Sequence, residues 1–254
     1  MLRTASLLVF VSCISVPLVA SADSKADAIK VVHEAQRAGF ERHDLAGYLA
    51  MWTDDATIIG TRPAAKKGAY DMVQTRAQFG ATKKLMFTGR STLFLSFSEV
   101  KAQATPWGIR IEAVATITAP GAFIEKVQET YLMRRTAAGW RCYQNTWALL
   151  ATGPADKPVT TDAAYYARLD AAVDAAGIAK DTQRLVDALM QAGRLDEART
   201  AVEHGCKEQP DSAKMWAKRV MVSYRRGDVP DALASAAKAR ALDGSIWLPP
   251  WAAK

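Results

Sequence analysis

Between residues 92 and 150 apolar and polar positions alternate with a period of two, in runs at 92–104, 108–118, 123–135 and 139–150. In the second run Ile109, Ile111, Ala113, Ala115 and Ile117 share one side, with Arg110, Glu112 and Thr116 opposite. One-sided alternation of this kind predicts an antiparallel sheet with a single packed face. The joints, Thr105-Pro106-Trp107-Gly108, Ala119-Pro120-Gly121 and Thr136-Ala137-Ala138-Gly139, are turn words. Upstream the period is helical. Ala28, Ile29, Val32, Ala35, Gln36, Gly39 and Phe40 form the inner face of a helix expected over 24–42. Asp44 caps a short second helix with Leu45, Tyr48, Leu49 and Trp52 facing in. A turn at Asp54-Asp55 then runs into a strand, and 68–79 reads as a third helix. Helices followed by a meander give an α+β domain whose curved antiparallel sheet wraps the N-terminal helices.

After residue 152 the chain turns alanine-rich and helix-periodic, past the Gly/Pro-punctuated stretch 153–161. Gln191-Ala192-Gly193-Arg194-Leu195-Asp196-Glu197-Ala198 recurs as Arg225-Arg226-Gly227-Asp228-Val229-Pro230-Asp231-Ala232, 34 residues on. That period resembles a tetratricopeptide unit, with Ala198 and Ala232 in register and Pro210 at the inter-repeat turn. Trp216 fills the aromatic position of the second unit. Thr182 stands there in the first, and Gly244 replaces the usual proline. A helix over 162–176 and a tail bearing Trp247, Pro249, Pro250 and Trp251 would cap so short an array. The expected divisions are a leader at 1–22, an α+β domain at 23–152, a linker at 153–161 and an all-α repeat domain at 162–254.

Composition narrows the class. The chain has 254 residues, 50% hydrophobic and 23% charged, which excludes disorder and a disulfide-stapled miniprotein. Arg3, the apolar run 7–19 and the small residues Ala20 and Ala22 form a secretory leader, cut after Ala22. This implies export to the periplasm or the medium. Cys13 lies behind Phe10-Val11-Ser12, a poor match to a lipidation site. Beyond residue 22 no apolar run is long enough for a stable membrane span. Cys142 and Cys206 are expected to be separate buried thiols. Residues 23–152 carry 17 basic against 12 acidic side chains. No dense basic stripe with interleaved aromatics accompanies them, so nucleic acid is not an expected partner.

The words Phe40-Glu41-Arg42-His43-Asp44-Leu45, Met51-Trp52-Thr53-Asp54-Asp55-Ala56-Thr57, Gly68-Ala69-Tyr70, and Glu129-Thr130-Tyr131 with Gly139-Trp140-Arg141 occur in order over about 26–150. Together they resemble the nuclear-transport-factor-2-like superfamily, nearest its SnoaL-like and ketosteroid-isomerase-like branch. The resemblance implies an α+β cone with a pocket at its open end, commonly a homodimer through the sheet. It also implies an Asp base with a Tyr and a protonated acid as oxyanion donors. Aligned on Asp-Asp-Ala-Thr, the base position falls at Gly60, the Tyr at Gln36 and the second acid at Glu129. Only Glu129 can fill its role, so isomerisation through that triad is not expected.

Gln36, Tyr48, Trp52, Glu129, Tyr131, Tyr143, Asn145 and Trp147 are the candidate pocket residues, polar tips among aromatics that suit a small, partly apolar ligand. The plainer alternative makes the aromatics core and turns the polar groups to solvent or a dimer partner. His33, His43 and His204 lack a carboxylate at catalytic spacing and are expected at the surface or in caps. No metal-ligand spacing, phosphate-cradling loop, dinucleotide fingerprint or nucleophile elbow is present, so no metal and no cofactor are expected. The expectation is an exported, non-catalytic protein whose cone binds a small ligand or dimerises while its repeats contact a protein partner. The alternative is a SnoaL-like enzyme, an isomerase, cyclase, dehydratase or hydrolase of a small apolar substrate, with Glu129 as acid or donor and Tyr48, Tyr131 or Tyr143 assisting.

Overall fold

A computed structural model describes residues 22–61, 72–88, 93–119, 123–249 and 251–252. The expected leader up to Ser21, the Pro120-Gly121 turn and Pro250 lie outside the described residues. Helix α1 (Ala22–Phe40) buries Ala28, Val32, Ala35, Gln36 and Phe40, the stripe its periodicity predicts. It stops two residues short of the expected end. Asp44, whose carboxylate accepts from the Gly47 amide at 2.9 Å, then caps α2 (Leu45–Leu49).

Two expectations fail next. Trp52 does not belong to α2; it opens β1 (Trp52–Thr61). The third helix does not run over 68–79: Met72–Thr75 is strand β2, paired antiparallel with β1, and α3 is Arg76–Thr88. Gly68 to Asp71 lie outside the described residues. Alternation over four residues is too short to oppose a helical reading, and Gln74, buried at 2% exposure, disguises an inward position as a polar one.

The hairpins follow as expected. Strands β3 (Phe94–Thr105), β4 (Gly108–Ala119), β5 (Phe123–Thr136) and β6 (Gly139–Gly153) pair antiparallel in sequence. The sheet order is β2-β1-β6-β5-β4-β3. It is not purely antiparallel, however: β1 joins β6 parallel, with Ile58 opposite Asn145 and Gly60 opposite Trp147. Hairpin rules govern consecutive strands, whereas β1 reaches its partner only after the whole meander has formed. The result is a mixed, curved sheet with three helices against one face, in keeping with the cone the resemblance implied. Its core joins Val32, Phe40, Tyr48, Trp52 and Phe79 to Ile109, Ile111, Tyr131 and Met133.

The stretch expected as a linker is tied down. Val159–Thr160 forms β7 on the end of β6. Thr161 is buried, its amide donating to Leu150 O at 2.7 Å and its hydroxyl to Leu149 O at 2.6 Å. Five helices follow: α4 (Ala163–Ile178), α5 (Thr182–Gln191), α6 (Leu195–Glu208), α7 (Ala213–Arg225) and α8 (Val229–Leu242). Asp162, Asp181, Ser212 and Asp228 cap four of them through side-chain oxygens. Met215, Val186, Val202 and Val222 fill the core of α4–α7. Lys218 meets Asp187 at 2.6 Å between α7 and α5, and Arg219 holds Asp231 at 2.6 Å between α7 and α8.

At the tail, Leu248 and Ala252 are buried against α7 and α8, and Trp251 stacks on Tyr224 at 4.5 Å. Trp247 stays exposed. Cys142 and Cys206 are free and buried. Among the described residues no helix is long and apolar enough to cross a membrane.

Candidate functional site

A cavity of about 440 Å³ lies between the inner sheet face, α1–α3 and the C-terminal helices. Gln36, Tyr48, Trp52, Glu129, Tyr131, Asn145 and Trp147 all line it. Tyr143 does not. Alternation would place it beside Asn145 and Trp147, but β6 carries a bulge there: Leu132 and Met133 on β5 face Gln144 and Cys142, leaving Tyr143 as the extra residue. A bulge shifts the inward set by one position. Cys142 and Asn145 are both buried, and Tyr143 instead packs its ring against the Arg134 guanidinium, 5.6 Å from the centroid.

Strand β5 presents Glu129 and Tyr131 two residues apart, hence on one face. Asn145, opposite Tyr131 on β6, donates from Nδ2 to Glu129 Oε2 at 2.7 Å and to Thr130 O at 3.3 Å. From α1, Gln36 Nε2 donates to the Tyr131 hydroxyl at 3.0 Å. Burial pushes the Glu129 carboxyl up; the Asn145 hydrogen bond and the Lys83 charge pull it back without cancelling the shift. Burial, followed by the Glu129 charge, drives the Tyr48 and Tyr131 phenols well above their ordinary range, so both stay protonated donors. Two buried polar atoms at this wall, Gln36 Oε1 and Trp52 Nε1, have no hydrogen-bond partner.

The position that the resemblance gives to a catalytic base is closed. A Cβ on Gly60 would lie 2.6 Å from the Trp147 ring, which occupies the space a carboxylate would need. Glu129 lines the cavity, partnered by Asn145.

Sequence reasoning missed Lys83. It lies on the inward stripe of α3, four residues after Phe79 and four before Phe87, both buried. Its Nζ stands 5.1 Å from the Phe79 ring centroid, 5.3 Å from Phe40 and 5.8 Å from Tyr48. Desolvation lowers its pKa to about 8, against the opposing pull of Glu129 and Glu125. The i±4 spacing from two phenylalanines was the available signal, and placing the helix at 68–79 hid it. The C-terminal helices were missed as well: Tyr165, Tyr166, Tyr224 and Arg225 line the same cavity. Glu125, its carboxyl raised by burial, feels both Lys83 and Arg225.

None of the three histidines lines this cavity. His33 is exposed and stacks on Phe97 at 5.4 Å, His43 Nδ1 lies 3.2 Å from Phe87 O, and His204 pairs with Glu208 on the surface. Among the described residues no group of three or more His, Cys, Asp or Glu could hold a metal ion.

No family model and no curated protein matches the chain. Solved structures do resemble it in part. An NTF2-like protein of unknown function from Pseudomonas putida KT2440 is 12% identical, over 50% of this chain and 87% of its own, with a TM-score of 0.40. A protein of the NTF2-like family from Streptomyces avermitilis, provisionally named a dehydratase, is 15% identical over 51% of this chain and 98% of its own, at 0.40. An NTF-2 like protein of unknown function from Silicibacter pomeroyi DSS-3 is 13% identical over 51% and 98%, at 0.37.

Proposed function

We propose that the protein binds a small, largely apolar molecule with a hydrogen-bonding head in the cavity between the sheet and the C-terminal helices. The observation that carries this is the pair of buried, unpartnered atoms Gln36 Oε1 and Trp52 Nε1 in a cavity whose lining is largely aromatic and aliphatic but also bears Lys83, Glu129 and Asn145. Each such atom costs roughly 1–3 kcal/mol, which a ligand offering one donor and one acceptor would offset. The volume suits a compact organic molecule. In this reading residues 162–254, with their tetratricopeptide-like spacing, serve first as the cover of the site. Their outer faces contact a protein partner, the sheet supports a homodimer, and the chain is exported with cleavage after Ala22. These three parts rest respectively on the repeat spacing, the family resemblance and the leader-like N terminus.

A second reading, catalysis of the SnoaL-like kind, is favoured by one arrangement. Glu129 is a cavity acid with Asn145 at 2.7 Å, and its raised pKa keeps it protonated to higher pH than an exposed carboxylate.

Native mass spectrometry of gently purified protein tests the binding reading. The expected result is a retained species of a few hundred daltons. Trp52→Phe, which removes the orphan indole N–H, should weaken its binding about tenfold. Tyr143→Ala, outside the cavity, should leave it unchanged. An empty protein, or equal losses in both variants, would remove the cavity as the site.

A further inference from the structure

Lysines on the inward stripe of a helix are ordinarily neutralised by a contacting carboxylate or extended to solvent. Lys83 has another setting. Its neighbour Lys84 is exposed, while Lys83 turns into the cavity among Phe40, Tyr48 and Phe79. Among the described residues no carboxylate comes within ion-pair distance of its Nζ. Glu129 and Glu125 act on it only from further away. The cavity thus holds an amine crowded by rings, a carboxyl group whose pKa burial raises and an unpartnered indole N–H.

We propose that Lys83 captures the carbonyl group of an aldehyde or ketone as an imine inside this cavity. The inference rests on the binding reading above and names the reactive group of the ligand. The lone pair of neutral Nζ attacks the carbonyl carbon as the C=O π pair moves to oxygen. That oxygen takes the Glu129 proton, and nitrogen returns one of its own to the carboxylate, leaving a carbinolamine. Glu129 then protonates the hydroxyl, and water departs with the C–O electrons as the nitrogen lone pair forms the C=N bond. The resulting iminium returns its remaining N–H proton to the Glu129 carboxylate. The balance is amine plus carbonyl to imine plus water, with no oxidant or reductant.

Supply of neutral amine follows from the site. With its pKa at about 8, Lys83 offers on the order of a hundred times more free base near neutral pH than an exposed lysine. The three ring contacts favour the ammonium and oppose this shift by about 0.5–2 kcal/mol each. The other ionisable groups lining the cavity are Glu125, Glu129 and Tyr131 on β5, Tyr48 on α2, Tyr165 and Tyr166 on α4, and Tyr224 and Arg225 on α7.

The test uses the full chain, 2-naphthaldehyde and borohydride, which fixes an imine as a stable amine, with 2-naphthalenemethanol as a non-reactive partner of the same shape. The expected result is a single arylmethyl addition mapped to Lys83, at about tenfold greater yield than at any other lysine. It should be lost in Lys83→Met and formed more slowly in Glu129→Gln. If the alcohol binds wild type but no adduct forms at Lys83, the imine inference is overturned and the cavity reading stands. If neither the alcohol nor the aldehyde engages the cavity, both fall. Labelling spread evenly over surface lysines also overturns it. Lys83→Met keeps the side-chain length, and its melting curve confirms that a lost adduct is not a lost fold.

Discussion

Gly108→Ala is expected to lower the midpoint of thermal unfolding by roughly 10 °C. Gly108 closes the β3–β4 hairpin at φ 148°, and a Cβ there would lie 1.9 Å from the Met133 carbonyl oxygen on β5. The obstacle is backbone in the middle of a ladder, so no rotamer change relieves it. An L side chain at positive φ costs about 1–2 kcal/mol, and forcing two packed strands apart adds roughly 1–3 kcal/mol. Met133 stands two residues from Tyr131, so the displaced strand carries a cavity residue and ligand binding should weaken too. Gly139→Ala isolates the steric part. Gly139 also has a positive φ, 95°, but the nearest atom to its missing Cβ is the flexible Arg141 guanidinium at 3.7 Å. Calorimetry of the two variants should show the larger loss at Gly108. Equal losses would mean that strain alone, and not the clash with Met133, sets the effect.

Lys83→Met is expected to raise stability at pH 7 by about 2 kcal/mol, or roughly 4–8 °C in midpoint. The sign follows from linkage. The folded-state pKa of about 8 lies below that of an unfolded lysine. The native state therefore holds this proton less firmly than the unfolded chain. The penalty is absent above about pH 10.4, grows as the pH falls from there to 8, and is full below. The gain from methionine should accordingly be complete at pH 7 and fade toward pH 10.5. Removing the ammonium also strips Glu129 and Glu125 of a counter-charge, which is why the figure is smaller than the whole shift. Denaturant unfolding across that pH range measures it. A gain that does not change with pH would reflect packing rather than a buried charge. Natural chains keep destabilising groups chiefly where they act, so the result bears directly on the imine chemistry.

The hairpins were legible because four long runs each repeat their period many times and are separated by turn words. Helix α1 was legible for the same reason. β2 was not, because four residues with a buried Gln74 carry too little pattern. The mistaken helix there moved α3, and Lys83 fell outside every expected element. Tyr143 went astray differently: a bulge adds one residue and leaves no compositional mark, so alternation counts straight across it. The parallel pairing of β1 with β6 has no local signal at all. Nor does the contribution of Tyr165, Tyr166 and Tyr224, since nothing in an amphipathic helix names the surface it will cover. What the sequence did reveal of the cavity, Glu129 and Tyr131 among aromatics, came from positions where strand period and chemistry coincide.

The tie formed by β7 and Thr161 has a consequence for how the cover works. Helix α4, the first of the five, begins with only Thr161 and Asp162 between it and the anchored end of β7, not at the end of a free tether. A short connection holds a binding module at an effective concentration in the millimolar range, and anchoring its start restricts the search further. An apolar contact of only micromolar strength between helices and cone would then remain closed nearly all the time. Supplied as a separate chain, the same helices would have to find the cone by diffusion and would leave it on dilution. The cavity can therefore have a wall built from modestly interacting side chains and still be roofed most of the time. Ligand exchange then proceeds through local opening at the seam, at a rate independent of protein concentration.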